Sequence, residues 1–148
     1  MKQEKQLLLQ DLSARLPYGV KIETPKGIGD LGTIKLTIFY HELGVNIKAT
    51  ERDYFPLDEC KPYLRSMSSM TKEETKELFK EIGFEFTCNT CGIPAHYNYE
   101  FAEQIKGIPT ITNVEFIKVI DWLNKKMFDY RGLIERGLAL EAPEGMYK

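Results

Sequence analysis

"GIGDLGTIKLTIFY", residues 27–40, is the stretch whose reading decides the fold. Gly27, Gly29 and Gly32 spell G-x-G-x-x-G, the spacing of a dinucleotide-binding turn. Such a turn works only when a helix starts inside it, so that the helix N-terminus faces a pyrophosphate. Here the following residues are "TIKLTIFY", in which Ile34, Leu36 and Ile38 alternate with Thr33, Lys35 and Thr37. A period of two with β-branched residues signals a strand. The glycines are therefore read as turn residues of an antiparallel hairpin, and no nucleotide site is expected.

The neighbouring segments follow the same rule. "VKIET" at 20–24 alternates Val20 and Ile22 with Lys21 and Glu23, and "VNIKAT" at 45–50 puts Val45, Ile47 and Ala49 on one side. "PKGIGDLG" and "HELG" carry Pro and Gly where linkers must turn. Three half-buried antiparallel strands are thus predicted within residues 18–50. Residues 3–15 are predicted as a helix, with Leu8, Leu12 and Leu16 on one face beside Leu9. Lys5, Gln6, Gln10 and Asp11 supply its polar side, and Pro17 ends it.

The second half is read from capping signals. "FPLDECKPYLRSMSSM" at 55–70 is taken as loop with one helical turn. In "TKEETKELFKEIG" at 71–83, Thr71 is an N-cap and Glu74 completes a capping box. Thr75, Leu78, Phe79 and Ile82 form the apolar face, and Gly83 marks the stop. "FEFTC" and "AHYNYEF" read as short strands. Thr112 and Glu115 form a second capping box ahead of a helix over 113–127. Its ridge of Val114, Ile117, Ile120 and Leu123 is widened by Phe116, Val119, Trp122 and Met127. A helix this apolar is expected to pack on more than one side. Asp129 is read as the cap of one more helix, "YRGLIERG", closed by Gly137. The tail "LALEAPEGMYK" is expected along the surface or paired as a short strand.

Together these elements predict an α+β fold. A small antiparallel sheet, with an SH3-like barrel as one form it can take, packs with the C-terminal core helix at 113–127 and the N-terminal helix. The helix at 72–82 and a cysteine hairpin flank it. One domain spans 1–148, with a helix and β-rich part over 1–65 and a helical and hairpin part over 66–148. The chain has 148 residues, 43% of them hydrophobic, a globular composition with enough apolar mass for a core. Its formal net charge of −2 provides no global field to attract a polyanion. The apolar run Leu7–Leu9 is far shorter than the roughly 7–15 residues of a secretory signal. A cytoplasmic protein with no membrane partner is expected, and its three cysteines are then free thiols or metal ligands.

Chemistry is sparse. Cys88 and Cys91 in "CNTCG" are spaced to share one metal, as in half of a zinc ribbon. A tetrahedral zinc site needs four thiolate or imidazole ligands. His96 is the nearest third ligand, with Cys60, His41 or a carboxylate left to complete the set. The competing reading is that the paired thiols are small apolar residues of a hairpin. Tyr97, Tyr99 and Phe101 alternate like a base-stacking platform, but Glu100 and Glu103 stand where such a platform needs cations. Lys61 and Arg65 beside Tyr63 and the hydroxyls of "KPYLRSMSSMT" are weighed as a phosphate or partner site. The alternative is an ordered linker whose hydroxyls satisfy local backbone groups.

"EKQLLLQDLSARLPYGVKI" at 4–22, "ECKPYLRSMSSMT" at 59–71 and "DWLNKKMFDYRGLIERGLALEAPEGMYK" at 121–148 resemble a family of short proteins encoded by gut Bacteroidales and their phages or prophages. The resemblance implies a mobile-element setting and a cytoplasmic protein. It implies no activity, so no catalytic residue is carried over. The expected function is a non-enzymatic accessory protein that binds another macromolecule, a protein rather than a nucleic acid. The alternatives are a small zinc-stabilised nucleic-acid-binding protein using Cys88, Cys91 and His96, and an enzyme with an unrecognised Cys–His or carboxylate site.

Overall fold

The computed structural model describes residues 2–37, 42–48, 53–82 and 113–148. Within them the chain is α+β, as expected: three helices and a six-stranded mixed sheet. The helices are α1 (Lys2–Arg15), α2 (Lys72–Ile82) and α3 (Asn113–Lys125). The strands are β1 (Lys21–Thr24), β2 (Gly27–Thr37), β3 (Glu42–Ile47), β4 (Phe55–Pro56), β5 (Lys61–Leu64) and β6 (Leu140–Glu141). Their order across the sheet is β4-β3-β2-β1-β5-β6, antiparallel throughout except for the parallel pair β5–β6.

The opening stretch is strand over more of its length than the alternation indicated. The expected linker "PKGIGDLG" is a two-residue turn at Pro25 and Lys26, after which β2 begins at once. Gly27 makes this possible, because its φ of +128° lies where side-chain-bearing residues rarely go. The other two glycines serve close approach. A Cβ on Gly29 would lie 2.9 Å from the Ile47 side chain, and one on Gly32 would lie 2.4 Å from Asn46 Oδ1. At that point the register of β2 on β3 shifts between Leu31 and Ile34. The Asn46 amide oxygen fills in for the missing ladder partner, accepting from the Thr33 backbone N–H at 2.7 Å and its hydroxyl at 2.9 Å. All three glycines of the fingerprint are thus consumed by the hairpin.

Residues 55–70, expected as loop, hold β4, β5 and two short 3-10 turns, Leu57–Glu59 and Met67–Ser69. Prolines at 56 and 62 hid the strands. Pro62 is tolerated because β5 needs no N–H there. Leu64 bonds toward β6, Pro62 points the same way, and β6 begins only opposite Tyr63.

The main core lies between α1 and the sheet. Leu8 and Leu12 meet Val20, Ile22, Leu31, Val45, Ile47, Leu57, Cys60 and Leu64, with Met127, Leu133 and Ala139 from the C-terminal segment. A second cluster holds Leu78 of α2, Trp122 and Leu123 of α3, and Phe128. The helix expected to lie on the sheet therefore packs mainly on α2, and it is not covered all round: Phe116 and Ile117 are 59% and 58% exposed. It also stops earlier than its apolar pattern, at Lys125. Phe128 N–H donates to Leu123 O at 2.9 Å, a Schellman-type closure with Met127 in the left-handed conformation at φ +62°. That turn aims Met127 into the main core instead of along the helix face.

The helix expected at 130–137 is a run of turns. Gly132 adopts φ +69° and breaks helical continuity. Asp129 therefore caps no helix; its carboxylate ties the turns together, accepting from the N–H groups of Leu133 at 2.9 Å and Ile134 at 2.8 Å, and Gly137 closes the run at φ +70°. The tail pairs with β5 as β6, one of its two expected fates.

Candidate functional site

Cys88, Cys91 and His96, the residues singled out for zinc, lie outside the described residues, as do His41, Tyr97, Tyr99 and Phe101. Among the described residues, no group of three or more His, Cys, Asp or Glu side chains is placed to hold a metal. Cys60, weighed above as a distant metal ligand, is described. It is 1% exposed in the main core. Burial first, and then the charges of Glu59 and Asp58, push its thiol up to about 12. The reactive thiolate is therefore scarce at neutral pH.

The segment holding Lys61, Tyr63 and Arg65 does help to build a site. Three distant parts of the chain meet there: β5 with the turn that follows it, the start of α2, and the strap from Glu141 to Lys148. They enclose a cleft of about 480 Å³, lined by Arg65, Ser66, Ser69, Thr71, Glu74 and the strap.

One wall is a hydrogen-bonded knot that its local sequence dictates. The Thr71–Glu74 capping box forms as read, with Glu74 N–H donating to Thr71 Oγ1 at 3.1 Å and Thr71 N–H donating to Glu74 Oε2 at 3.0 Å. The same carboxylate receives both arms of Arg65, Nη1 at 2.7 Å and Nη2 at 2.9 Å. Arg65, with the Thr71 backbone N–H adding to it, holds the Glu74 carboxyl below its ordinary range against the opposing effect of burial. The guanidinium also stands 4.3 Å over the Phe128 ring. Ser69 Oγ donates to Ser66 O at 2.7 Å, so this hydroxyl serves the linker backbone, as the alternative reading of the segment held.

The strap is anchored by Tyr147. Its hydroxyl accepts from Lys21 N–H at 3.0 Å and donates to Tyr63 O at 2.6 Å. The register Ile22↔Pro62 would make Lys21 and Tyr63 partners, so the phenol bridges β1 and β5 where they have separated. Burial pushes this phenol up to about 12, against the Lys21 N–H bond and the Arg15 charge.

Behind the cleft lies the feature that the sequence reading missed. Asp11, read as part of the polar side of α1, and Arg15, to which no role was given, are both 0% exposed. Arg15 Nε and Nη2 donate to the Asp11 carboxylate at 2.8 and 3.0 Å, and Nη2 also donates to Phe128 O at 2.8 Å. Arg131 approaches the same carboxylate at 3.4 Å. The spacing is compatible with burial without requiring it: Leu8, Asp11, Leu12 and Arg15 occupy i, i+3, i+4 and i+7 of one helix face. Through Phe128, the segments at 4–22, 59–71 and 121–148 converge on one point.

The polar groups of Arg65, Glu74, Ser69 and the Tyr147 hydroxyl are already engaged in bonds within the protein, while Glu141 and Glu144 are exposed residues of the lining. The fold is that of an α+β protein carrying a strapped cleft at the edge of its sheet. Neither family profiles, nor curated proteins, nor solved structures show a match to this chain.

Proposed function

We propose that this protein is a non-enzymatic accessory protein, of phage or prophage type and acting in the cytoplasm, that binds another protein through the strapped cleft. The observation that carries this reading is the division of labour in the lining. Arg65 and Glu74 neutralise one another and position α2, leaving Glu141, Glu144 and Lys148 to meet a partner. Three carboxylates against two cations give the cleft a negative lean, which opposes a phosphate backbone and favours a protein partner. Among the described residues, no helix is long and apolar enough to cross a membrane. The resemblance to Bacteroidales phage proteins supplies the expected setting.

The test is site-specific photo-crosslinking. A photoreactive residue is placed at Ser69 and, as a control, at Lys76 on α2, in cells carrying the mobile element. Recovery of the same protein adduct from position 69 and not from 76 supports the proposal. Adducts to nucleic acid, or none at 69, overturn it.

A further inference from the structure

We infer that the occupant of the cleft is a short extended segment of the partner protein carrying one Lys or Arg side chain, which adds to the outer edge of β6. This rests on the binding reading above and specifies its ligand.

The backbone geometry comes from the register. Leu64 is paired with Glu141, and Ala142 N–H donates to Leu64 O at 2.7 Å. In a parallel ladder, the residue between two bonding neighbours turns its own N–H and C=O to the other side. Glu141 is that residue, so both of its backbone groups face away from β5. Among the described residues β6 is the sheet's last strand, and its Glu141, with the adjoining Ala142, lines the cleft. An edge with a donor and an acceptor is a template for an added strand. Pro143 ends the strand two residues on, so the edge takes a short segment and not a long one.

Charge chooses the side chain. Arg65 is engaged by Glu74 in two hydrogen bonds and is not available to an anion. Glu141 and Glu144 are exposed and make no hydrogen bond or ion pair among the described residues. The same strap adds Lys148 to the lining. An added strand lying along Glu141 brings an alternate side chain over these carboxylates, where a guanidinium or ammonium makes charge-assisted bonds.

The experiment titrates the whole protein, labelled with ¹⁵N, with the capped peptide Val-Thr-Arg-Thr-Val. The comparators are Val-Thr-Gln-Thr-Val, an Arg peptide N-methylated along its backbone, and arginine amide alone. Shifts are expected at the amides of Ser66, Ser69, Glu141, Ala142 and Glu144–Tyr147. The Gln peptide should bind about tenfold more weakly, as should the Glu141→Gln/Glu144→Gln protein toward the Arg peptide. No shifts at these amides, equal affinity for the Arg and Gln peptides, or arginine amide or the methylated peptide matching the Arg peptide would each overturn the inference. If the peptides fail while crosslinking at position 69 still captures a protein, the extended basic segment is wrong and the binding reading stands. If both fail, the cleft is not the site.

Discussion

The sheet with α1 and the pair formed by α2 and α3 solve the same problem in opposite ways. The sheet region encloses a large apolar cluster and buries polar groups inside it: Asp11, Arg15 and Asn46, each with a dedicated partner. The helix pair has a small cluster, leaves Phe116 and Ile117 in solvent, and leans on polar contacts at its margin, Arg65 with Glu74 and Lys126 with Glu77. Buried charge makes a region intolerant of change, because removing one partner strands the other. Marginal ion pairs make a region tunable, because water replaces what is lost.

The sharpest way to break the contrast is Asp11→Ala. It leaves the Arg15 guanidinium buried without its carboxylate and is expected to cost about 3–5 kcal/mol, with global unfolding followed by urea titration. The double change Asp11→Leu/Arg15→Met should recover most of that loss, since a well-packed apolar pair of similar volume avoids the desolvation of both charges. If the double variant is no better than the single, the pair does not act as a unit.

Next in size is Tyr147→Phe. It deprives Lys21 N–H and Tyr63 O of their shared partner and is expected to cost about 1–3 kcal/mol in the same assay. The same region is expected to weaken in alkali. Cys60 and Tyr147 are both raised in the folded state, from ordinary values of 9.0 and 10.0 to about 12. A raised acid contributes stability that is complete below its unfolded value and fades as pH rises toward the folded one. The stability of the wild type should therefore fall from pH 9.0 toward about 12, and Cys60→Ala should flatten the first part of that fall.

The helix pair should respond to acid instead. Glu74 is lowered from 4.5 by Arg65, so its contribution is present above that value and is lost as pH drops through the lower folded one. Glu74→Gln is expected to cost about 1 kcal/mol at neutral pH, the modest figure reflecting solvent screening, and to remove part of the acid sensitivity. Native-state hydrogen exchange should place the loss in α2 and α3 and leave β1 and β2 protected. The smallest effect is expected for Ile117→Ser, within about 0.5 kcal/mol in a urea titration, because the side chain is already in water.

The parts of the molecule that were legible in the sequence are those in which the physics is local. The Thr71–Glu74 box, the Pro17 stop and the strand character of β2 each depend on residues a few positions apart, although Leu36, on the expected apolar face of β2, is 66% exposed. The fate of Asp11 was not legible in the same way. An Asp and an Arg four apart on a helix describe an exposed ion pair equally well, and only a carbonyl at Phe128 makes the buried version workable. The end of α3 was hidden because Met127, not glycine, takes the left-handed turn. Of the cleft, only one wall could be anticipated, since Tyr147 reaches β1 and β5 across 126 and 84 residues of chain.

Gly32 and Asn46 carry a consequence for how this sequence can drift. The amide oxygen that completes the bulge lies 2.4 Å from where a larger residue at 32 would place its first side-chain carbon, too close for both to stay as they are. Neither position can therefore change freely: a side chain at 32 requires a shorter one at 46, and a shorter one at 46 strands the Thr33 N–H. Descendants of this hairpin should keep the two residues or exchange them together, so the imitation of a nucleotide motif is preserved by a constraint unrelated to nucleotides.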